Sequence, residues 1–181
     1  MLQWDATSLI TCAKFQVNGQ LVLDYALSAG KIVIVQEVQQ ETVTAGLAGG
    51  YPDAVEIKTR IEAGQIEVRT GAPLSPAFEE VLDLYGLHHG DKAVVRLALQ
   101  MTEVEATVTD DRLLWVVLRR CGHAALFLPD FIEKAVAEGA FNTATGQQLL
   151  LPYGSGCWSV LSSIPYGDWK ECYRWQSAYT P

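Results

Sequence analysis

The sequence predicts a three-layer α/β/α domain with a mainly parallel central sheet. The first observation is the run K-I-V-I-V at residues 31–35, whose continuous β-branched character is typical of a parallel strand buried on both faces. The second is the alternation, along residues 1–139, of short strand-like segments with segments of helical periodicity. Alternation of this kind indicates β-α-β units, which connect parallel strands through right-handed crossovers.

Each predicted element has a local signal. The predicted strands alternate in polarity or are β-branched, and they are residues 1–6, 31–35, 65–69, 105–109 and 124–128. The predicted helices carry apolar residues at helical spacing, and they are residues 7–14, 19–30, 36–45, 53–63, 77–85, 91–100, 113–121 and 129–139. The glycine-rich residues 46–51 are expected to form a loop, and the strand at 65–69 is expected near an edge of the sheet.

Length and composition indicate one domain with an appendage. The chain has 181 residues, of which 49% are hydrophobic, enough for a sizeable core. We place the domain at residues 1–141 and an irregular, aromatic-rich C-terminal extension at residues 142–181. The aromatic residues of this extension are expected to pack on the domain or on a second subunit, with stacking on nucleobases as the alternative. They include Trp158, Trp169, Tyr173, Trp175 and Tyr179.

Charge and cysteine usage exclude some classes of protein. A net charge of −8, from 13 basic and 21 acidic residues, argues against binding nucleic acid through a broad basic surface. A nucleic-acid enzyme is still compatible with this charge, because a divalent cation held by carboxylates supplies positive charge locally.

The four cysteines are scattered, without a C-x-x-C pair, as in reduced cytosolic proteins that have no zinc site or disulfide framework. No apolar run reaches the roughly 20 residues that span a membrane. No secretory signal pattern opens the sequence, so we expect a cytoplasmic protein.

Acidic side chains recur where predicted strands end. Residues 105–112 (E-A-T-V-T-D-D-R) run from a strand into Asp110 and Asp111, and the first strand ends on Asp5. Ligands of open α/β sheets bind at the carboxyl ends of the strands. If these two strands are neighbours, about 5 Å apart, their acids share a small volume. Glu41 and Asp91 are then expected to reach the same volume from helices above it.

Crowded carboxylates have a chemical consequence. They cannot all stay ionised without a cation between them, so at least one raised pKa is expected in the metal-free protein. Oxygen-only ligands suit Mg²⁺ or Mn²⁺. The chemistry that such a site favours is phosphodiester hydrolysis, in which the metal activates water and stabilises developing charge.

Structural interpretations compete with this one. Asp110 is a candidate N-cap of the helix that begins near Arg112, and Thr7 or Ser8 is a candidate N-cap of the first helix. Caps of this kind need no ligand, so neither position indicates a site by itself.

The acids on helices also have simpler interpretations. Glu41 fits a solvated surface acid. Asp91 is favoured by the helix dipole in any protein, because it lies in a first helical turn. His88 and His89 have no partner at ligand spacing and are expected to face solvent.

Four short motifs fall in the order and spacing of the PIN domain family, which residues 1–139 resemble. The motifs are D-A-T-S-L-I at residues 5–10, V-Q-Q-E at 38–41, G-D-K-A-V-V-R-L-A at 90–98 and T-D-D-R at 109–112. The most similar branch carries its third acid in a glycine–glutamate–alanine run before a helix. The resemblance implies a PIN-like fold and a Mg²⁺- or Mn²⁺-dependent endoribonuclease that hydrolyses RNA.

The resemblance also implies roles for individual residues. The implied catalytic acids are Asp5, Glu41, Asp91 and Asp111. The implied metal ligands are these four acids and Asp110, their neighbour or substitute. The implied orienting or substrate-contacting residues are Thr7, Ser8, Thr109 and Arg112. Many PIN proteins are toxins held by an antitoxin and many are dimers, so an antitoxin protein and a homodimer are implied partners besides RNA.

Two departures from the family stand out. Asp91 occupies the place of a glutamate common in this branch, so its reach toward a metal ion is one methylene shorter. The aromatic extension matches nothing in the family core.

Two alternative functions remain open at this point. A phosphohydrolase of the haloacid dehalogenase type also begins with a strand that ends on aspartate. It requires a second aspartate where Thr7 stands, and a lysine that residues 100–109 do not contain. The other alternative is a catalytically degenerate PIN-fold module that serves in binding or as a scaffold.

Overall fold

The structure, a computed structural model, describes residues 1–150. The strands are β1 (Leu2–Trp4), β2 (Gln16–Val17), β3 (Gln20–Leu21), β4 (Ile32–Val35), β5 (Ile66–Arg69), β6 (Ala106–Val108) and β7 (Ala125–Leu126). The helices are α1 (Ala6–Lys14), α2 (Val22–Ala29), α3 (Gln36–Gln39), α4 (Gly46–Ala48), α5 (Pro52–Glu62), α6 (Pro76–Leu84), α7 (His89–Gln100), α8 (Arg112–Arg120), α9 (Leu128–Ala137) and α10 (Thr143–Leu150). A π-helical segment, Gln40–Ala45, lies between α3 and α4.

Five parallel strands form the central sheet, in the order β5-β4-β1-β6-β7. β1 pairs with β6 so that Trp4 lies opposite Val108, which confirms that the two strands ending on acids are neighbours. All four residues of β4 are buried, as its β-branched sequence predicts. β5 lies at an edge of the sheet, also as predicted.

Helices cover both faces of this sheet. Successive side chains of a strand point to opposite faces. On β1, the Gln3 amide donates a hydrogen bond to the Val94 carbonyl of α7 (3.0 Å). The next side chain, Trp4, packs edge-on against Phe131 of α9, with ring centroids 5.2 Å apart. α7 and α9 therefore lie on opposite faces, which confirms a helix-flanked α/β architecture.

A two-stranded hairpin replaces the beginning of the helix predicted at residues 19–30. β2 and β3 pair in an antiparallel manner across Asn18 and Gly19, and α2 begins only at Val22. Both turn residues have positive φ, 54° and 76°, as type I′ turns require. The Asn-Gly pair was the available sequence signal, and the apolar spacing that follows it concealed the turn.

Two helices differ at their ends from the prediction. The helix predicted at 36–45 is α3 continued by the π-helical segment, and α4 extends it into the predicted loop at 46–51. α7 begins at His89, with Asp91 as its third residue rather than its first. Both differences lie beside the predicted acids, so they change how Glu41 and Asp91 are presented.

The first residues of the predicted extension are helical. α10 packs against α9, and Leu149 is fully buried in the core. Residues 151–181, with the aromatic residues predicted to pack or stack, lie outside the described part of the chain. Within residues 1–150, no helix is long and apolar enough to span a membrane. The described cysteines, Cys12 and Cys121, are free thiols.

Candidate functional site

The strand order of the sheet reverses between β1 and β6. From β1, the chain adds β4 and β5 on one side and then β6 and β7 on the other. In open α/β sheets, this reversal opens a crevice outside the carboxyl ends of the two strands, where ligands bind. Asp5 directly follows β1, and Thr109 directly follows β6. The predicted acids therefore begin at the position in this topology that is most suited to a ligand.

Asp5 is a buried carboxylate held at both oxygens. Its side chain is 3% exposed. Oδ1 accepts a hydrogen bond from the Ser8 amide (2.8 Å), and Oδ2 accepts one from the Thr109 hydroxyl (2.6 Å). Burial raises the pKa of Asp5 to about 7, although these hydrogen bonds oppose the shift. Asp5 itself is thus the N-cap of α1, and the prediction that Thr7 or Ser8 caps this helix is wrong.

Thr109 links Asp5 to the start of α8. Its hydroxyl donates to Asp5 and accepts a hydrogen bond from the Asp111 amide (3.0 Å). Asp111 in turn caps α8, because its Oδ1 accepts from the Leu114 amide (2.8 Å). The sequence assigned this cap to Asp110, which is wrong by one residue. The hydroxyl of Thr109 therefore fixes the relative placement of two acids that lie more than 100 residues apart in sequence.

Replacing Asp111 should separate its capping role from its charge. Asp111→Ala removes the oxygen that satisfies the Leu114 amide, so we expect a loss of about 1 kcal/mol of unfolding free energy. Asp111→Asn keeps that oxygen and removes charge beside Asp91, so its metal-free stability should equal or exceed that of the wild type. Thermal and urea unfolding of both variants measure the difference. An Asp111→Asn protein as unstable as Asp111→Ala would contradict the assignment.

Asp110 points toward the start of α9. Its Oδ1 accepts a hydrogen bond from the Leu128 amide (3.2 Å). Burial raises the pKa of Asp110 to about 6, and the charge of Asp130 adds to the shift. The buried thiol of Cys12 lies within electrostatic range of both Asp110 and Asp5, and its pKa is raised, first by burial and then by these charges. Asp110 thus lies on the β7 side of Asp5.

Asp91 and Glu41 approach from the helices above the sheet. The pKa of Asp91 is raised, first by burial, next by the charge of Asp111 and more weakly by that of Glu41. Glu41 is exposed on the π-helical segment. A Cβ atom built on Gly90 would lie 3.6 Å from Glu41 Oε2, so Glu41 borders the first turn of α7. All four predicted catalytic acids are therefore at the carboxyl edge of the sheet.

The raised pKa values have a different main cause from the one that the sequence suggests. Crowding of like charges predicts them, and Asp5, Asp91 and Asp110 do show them. In each case, however, burial is the largest cause and like charge contributes less. Each of these acids is therefore costly to ionise even when its neighbours are neutral. A bound cation would stabilise the ionised carboxylates most strongly in such a buried environment.

Glu37 is an acid at this edge that the sequence reasoning missed. It follows β4 by two residues and lies one helical turn before Glu41. Its Oε2 is buried without a hydrogen-bond partner among the described residues, and its Oε1 lies 3.7 Å from His89 Nε2. The signal was the spacing Q-E-V-Q-Q-E, which places two glutamates on one helix face.

Two implied orienting residues differ in their placement. Ser8 is fully buried, and its Oγ has no hydrogen-bond partner in the described chain. It nevertheless lies near enough to Asp5 to lower the pKa of that carboxyl, so it contacts the site without a well-formed hydrogen bond. Thr7 is exposed, and its carbonyl accepts from the Thr11 hydroxyl within α1. Ser8 rather than Thr7 therefore accompanies Asp5.

The remaining predicted residues surround the site. Arg112 is the first residue of α8 and is partly exposed. His88 and His89 are exposed, as predicted.

The donors suit a hard divalent cation in type and in charge. They are carboxylate oxygens, which Mg²⁺ and Mn²⁺ prefer. The unpartnered, buried oxygens of Ser8 and Glu37 show polar capacity that the protein alone leaves unused. As the side chains stand in residues 1–150, no three histidine, cysteine or acidic residues lie close enough together to hold one ion. The donors thus fit the ion chemically, and the ligand geometry is not assembled.

Two surface cavities lie at the opposite end of the sheet. One borders Lys31 and Gln65, and the other borders Glu105 and Lys134. In the second, Glu105 pairs with the N-terminal ammonium of Met1 (2.8 Å). Neither cavity is lined by Asp5, Asp91, Asp110 or Asp111. We place the candidate site at these aspartates, because raised carboxyl pKa values and the reversal of the strand order coincide there.

Comparisons of the chain with models of protein families, with curated proteins and with solved structures found no match.

Proposed function

We propose that this protein is a PIN-like, Mg²⁺- or Mn²⁺-dependent endoribonuclease. One observation carries the proposal. At the reversal of the strand order, Asp5 is a buried carboxylate with a pKa of about 7, joined through Thr109 to Asp111. A protein that only needed a helix cap there could use a neutral serine or asparagine at no electrostatic cost. A buried aspartate in this position is better explained by a bound cation.

Each residue of the site has a proposed role. Asp5, Asp91 and Asp111 would hold the cation, with Glu41 at the rim and Asp110 as the neighbouring acid. When bound, the cation supplies a water of lowered pKa and stabilises charge on the phosphate. Thr109 and the Ser8 amide keep Asp5 in one orientation through the hydrogen bonds described above.

Cleavage assays with purified protein test the proposal. A labelled single-stranded RNA is incubated with the protein in Mn²⁺, in Mg²⁺ or in EDTA. Cleavage that requires either cation and increases with its concentration supports the proposal. Cleavage that persists in EDTA contradicts it, because the proposed reaction needs the water that a bound cation activates.

The two exposed histidines should not matter for this reaction. We expect His88→Ala and His89→Ala to keep cleavage within about threefold of the wild type, because a metal-activated water needs no imidazole base. Initial rates at fixed Mn²⁺ measure this. A large loss in His89→Ala would instead point to a role for its contact with Glu37.

A catalytically inactive binding or scaffold module is the second candidate. It is favoured by the finding that Asp5 and Asp111 both cap helices, a role that needs no metal. Calorimetric titration with Mn²⁺ discriminates the two candidates. A nuclease should bind Mn²⁺ and lose binding in Asp5→Asn, whereas a scaffold need not bind the ion near these acids.

The implied partners and location remain part of the same proposal. RNA is the proposed substrate. An antitoxin protein and a homodimer are further partners that the resemblance to PIN proteins implies, and a cytoplasmic location is proposed from the scattered cysteines.

A further inference from the structure

An aromatic stack lies beside the acidic site. The Trp115 and Phe127 rings are nearly parallel, at 11°, with centroids 5.4 Å apart. The Trp115 indole N–H donates to the Ala125 carbonyl (3.0 Å), which fixes the ring against β7. The Arg119 guanidinium carbon lies 5.8 Å from the centre of the Trp115 ring. We name Arg119, Trp115 and Phe127 the α8 stack.

The stack continues from the acids along one side of α8. Asp111, Trp115 and Arg119 are spaced four residues apart, which places them on one helix face. Phe127 directly precedes Leu128, whose amide donates to Asp110. The two aromatic residues therefore flank β7 in sequence, with Trp115 one helical turn after Asp111 and Phe127 next to the residue that binds Asp110.

The stack also carries charge that suits a polyanion. In a chain of net charge −8, α8 holds Arg112, Arg119 and Arg120 within nine residues. Arg119 is exposed, and Trp115 and Phe127 are partly exposed. Guanidinium planes and aromatic rings are both surfaces on which unpaired bases stack. An exposed guanidinium on a fixed indole thus offers a plane for a base and a charge for its phosphate.

We propose that the α8 stack binds a nucleobase of single-stranded RNA and so places the adjoining phosphodiester at the acids. This rests on the proposed function for the identity of the ligand. A duplex suits this stack poorly, because its internal bases are already paired and stacked on one another. The substrate class is therefore single-stranded RNA, with little preference between bases, since every base has a face that stacks.

The test is binding of two short labelled oligomers to the wild-type protein in Mg²⁺. One is oligouridylate, and the other has the same ribose-phosphate backbone with abasic positions. Fluorescence anisotropy gives each affinity, and a denaturing gel of each sample scores cleavage separately. We expect the abasic oligomer to bind about tenfold more weakly or worse, the usual effect of losing a stacked base.

Substitutions in the α8 stack test which side chains bind the base. Trp115→Ala, Phe127→Leu and Arg119→Gln should each reduce the difference between the two oligomers. Arg119→Gln should also weaken binding of the abasic oligomer, because it removes a charge. Leu113→Ala is the matched control for an exposed apolar side chain on α8, and Lys134→Gln for loss of charge at the opposite edge of the sheet. Neither control should change either affinity by more than about twofold. Trp115→Phe keeps an aromatic ring and should retain the preference for oligouridylate over the abasic oligomer. This variant tests the stack even if Trp115→Ala does not fold.

The outcomes separate the two proposals. Binding that depends on bases and on Trp115, without cleavage, supports the stack and contradicts the nuclease. Cleavage with equal affinity for the two oligomers supports the nuclease and overturns the stack. No binding of either oligomer overturns the stack as well.

Discussion

Asp5→Asn is expected to abolish Mn²⁺-dependent cleavage of single-stranded RNA while leaving the fold intact. Asparagine keeps the size of aspartate and one carbonyl oxygen, so it still accepts from the Ser8 amide and caps α1. It drops the negative charge that holds a cation and lowers the pKa of its water. The expected loss is several orders of magnitude in initial rate, measured with a labelled oligomer at saturating Mn²⁺.

The control for this variant is Glu138→Gln, the corresponding loss of charge at an exposed acid paired with Lys134 at the opposite end of the sheet. It should cleave at the wild-type rate. Circular dichroism and thermal unfolding check that Asp5→Asn is folded. A folded Asp5→Asn protein that cuts RNA as fast as the wild type would remove the nuclease assignment and leave the scaffold candidate ahead.

The metal-free protein should lose stability as pH rises from about 5 to about 8. The folded-state pKa values of Asp5 (about 7) and Asp110 (about 6) are raised by burial, and that of Asp91 is raised as well. In the unfolded chain an aspartate ionises near pH 4. Between these values the folded state binds more protons than the unfolded state, so the free energy of unfolding falls as pH rises.

For Asp5 alone, the unfolding free energy should fall by about 2–3 kcal/mol over this range. Each pH unit below its folded-state pKa contributes about 1.4 kcal/mol. Urea unfolding in EDTA at several pH values measures it. Asp5→Asn should flatten the slope and be more stable than the wild type at pH 8. Added Mn²⁺ should restore wild-type stability at pH 8, because it binds only the folded protein.

Opposing groups limit the range in which this prediction applies. The pKa of Glu79 is lowered to about 2, first by its hydrogen bond with Arg96, so its contribution to stability is lost only in acid. Burial also lowers the pKa of His123, which opposes the loss in the same pH range. The three raised aspartates outweigh this single group from about pH 5 upward. A wild-type protein whose unfolding free energy rises steadily from pH 5 to pH 8 would show that Asp5 is ionised without cost.

The parts of the fold that sequence could predict are those set by local patterns. The buried run at 31–35 identifies a central parallel strand, because only strands covered on both faces are apolar throughout. The neighbouring placement of the first strand and residues 105–109 was a condition of the predicted site, and no local pattern predicted it. The hairpin at Asn18 was missed because a helical pattern follows the turn at once. The π-helical segment was missed because its six residues are too few for a changed apolar period to be recognised.

The sequence could name the candidate acids, but it could not give their geometry. Asp5 and Asp111 were named from their places after strands, but which acid caps a helix depends on backbone angles at a single residue. A one-residue shift exchanged Asp110 and Asp111 in that role. Glu37 escaped notice because burial of its carboxylate arises from α7 packing over α3, a contact between distant segments.

The hydrogen bonds that make Asp5 and Asp111 helix caps also restrict how this protein can evolve. A lineage that no longer needed the acidic chemistry would still need oxygen acceptors for the Ser8 and Leu114 amides. Drift at these two positions should therefore lead to asparagine or serine, residues that cap a helix without charge, and rarely to alanine. Among descendants of this chain, the loss of charge at positions 5 and 111 with the cap retained would be the signature of an abandoned activity.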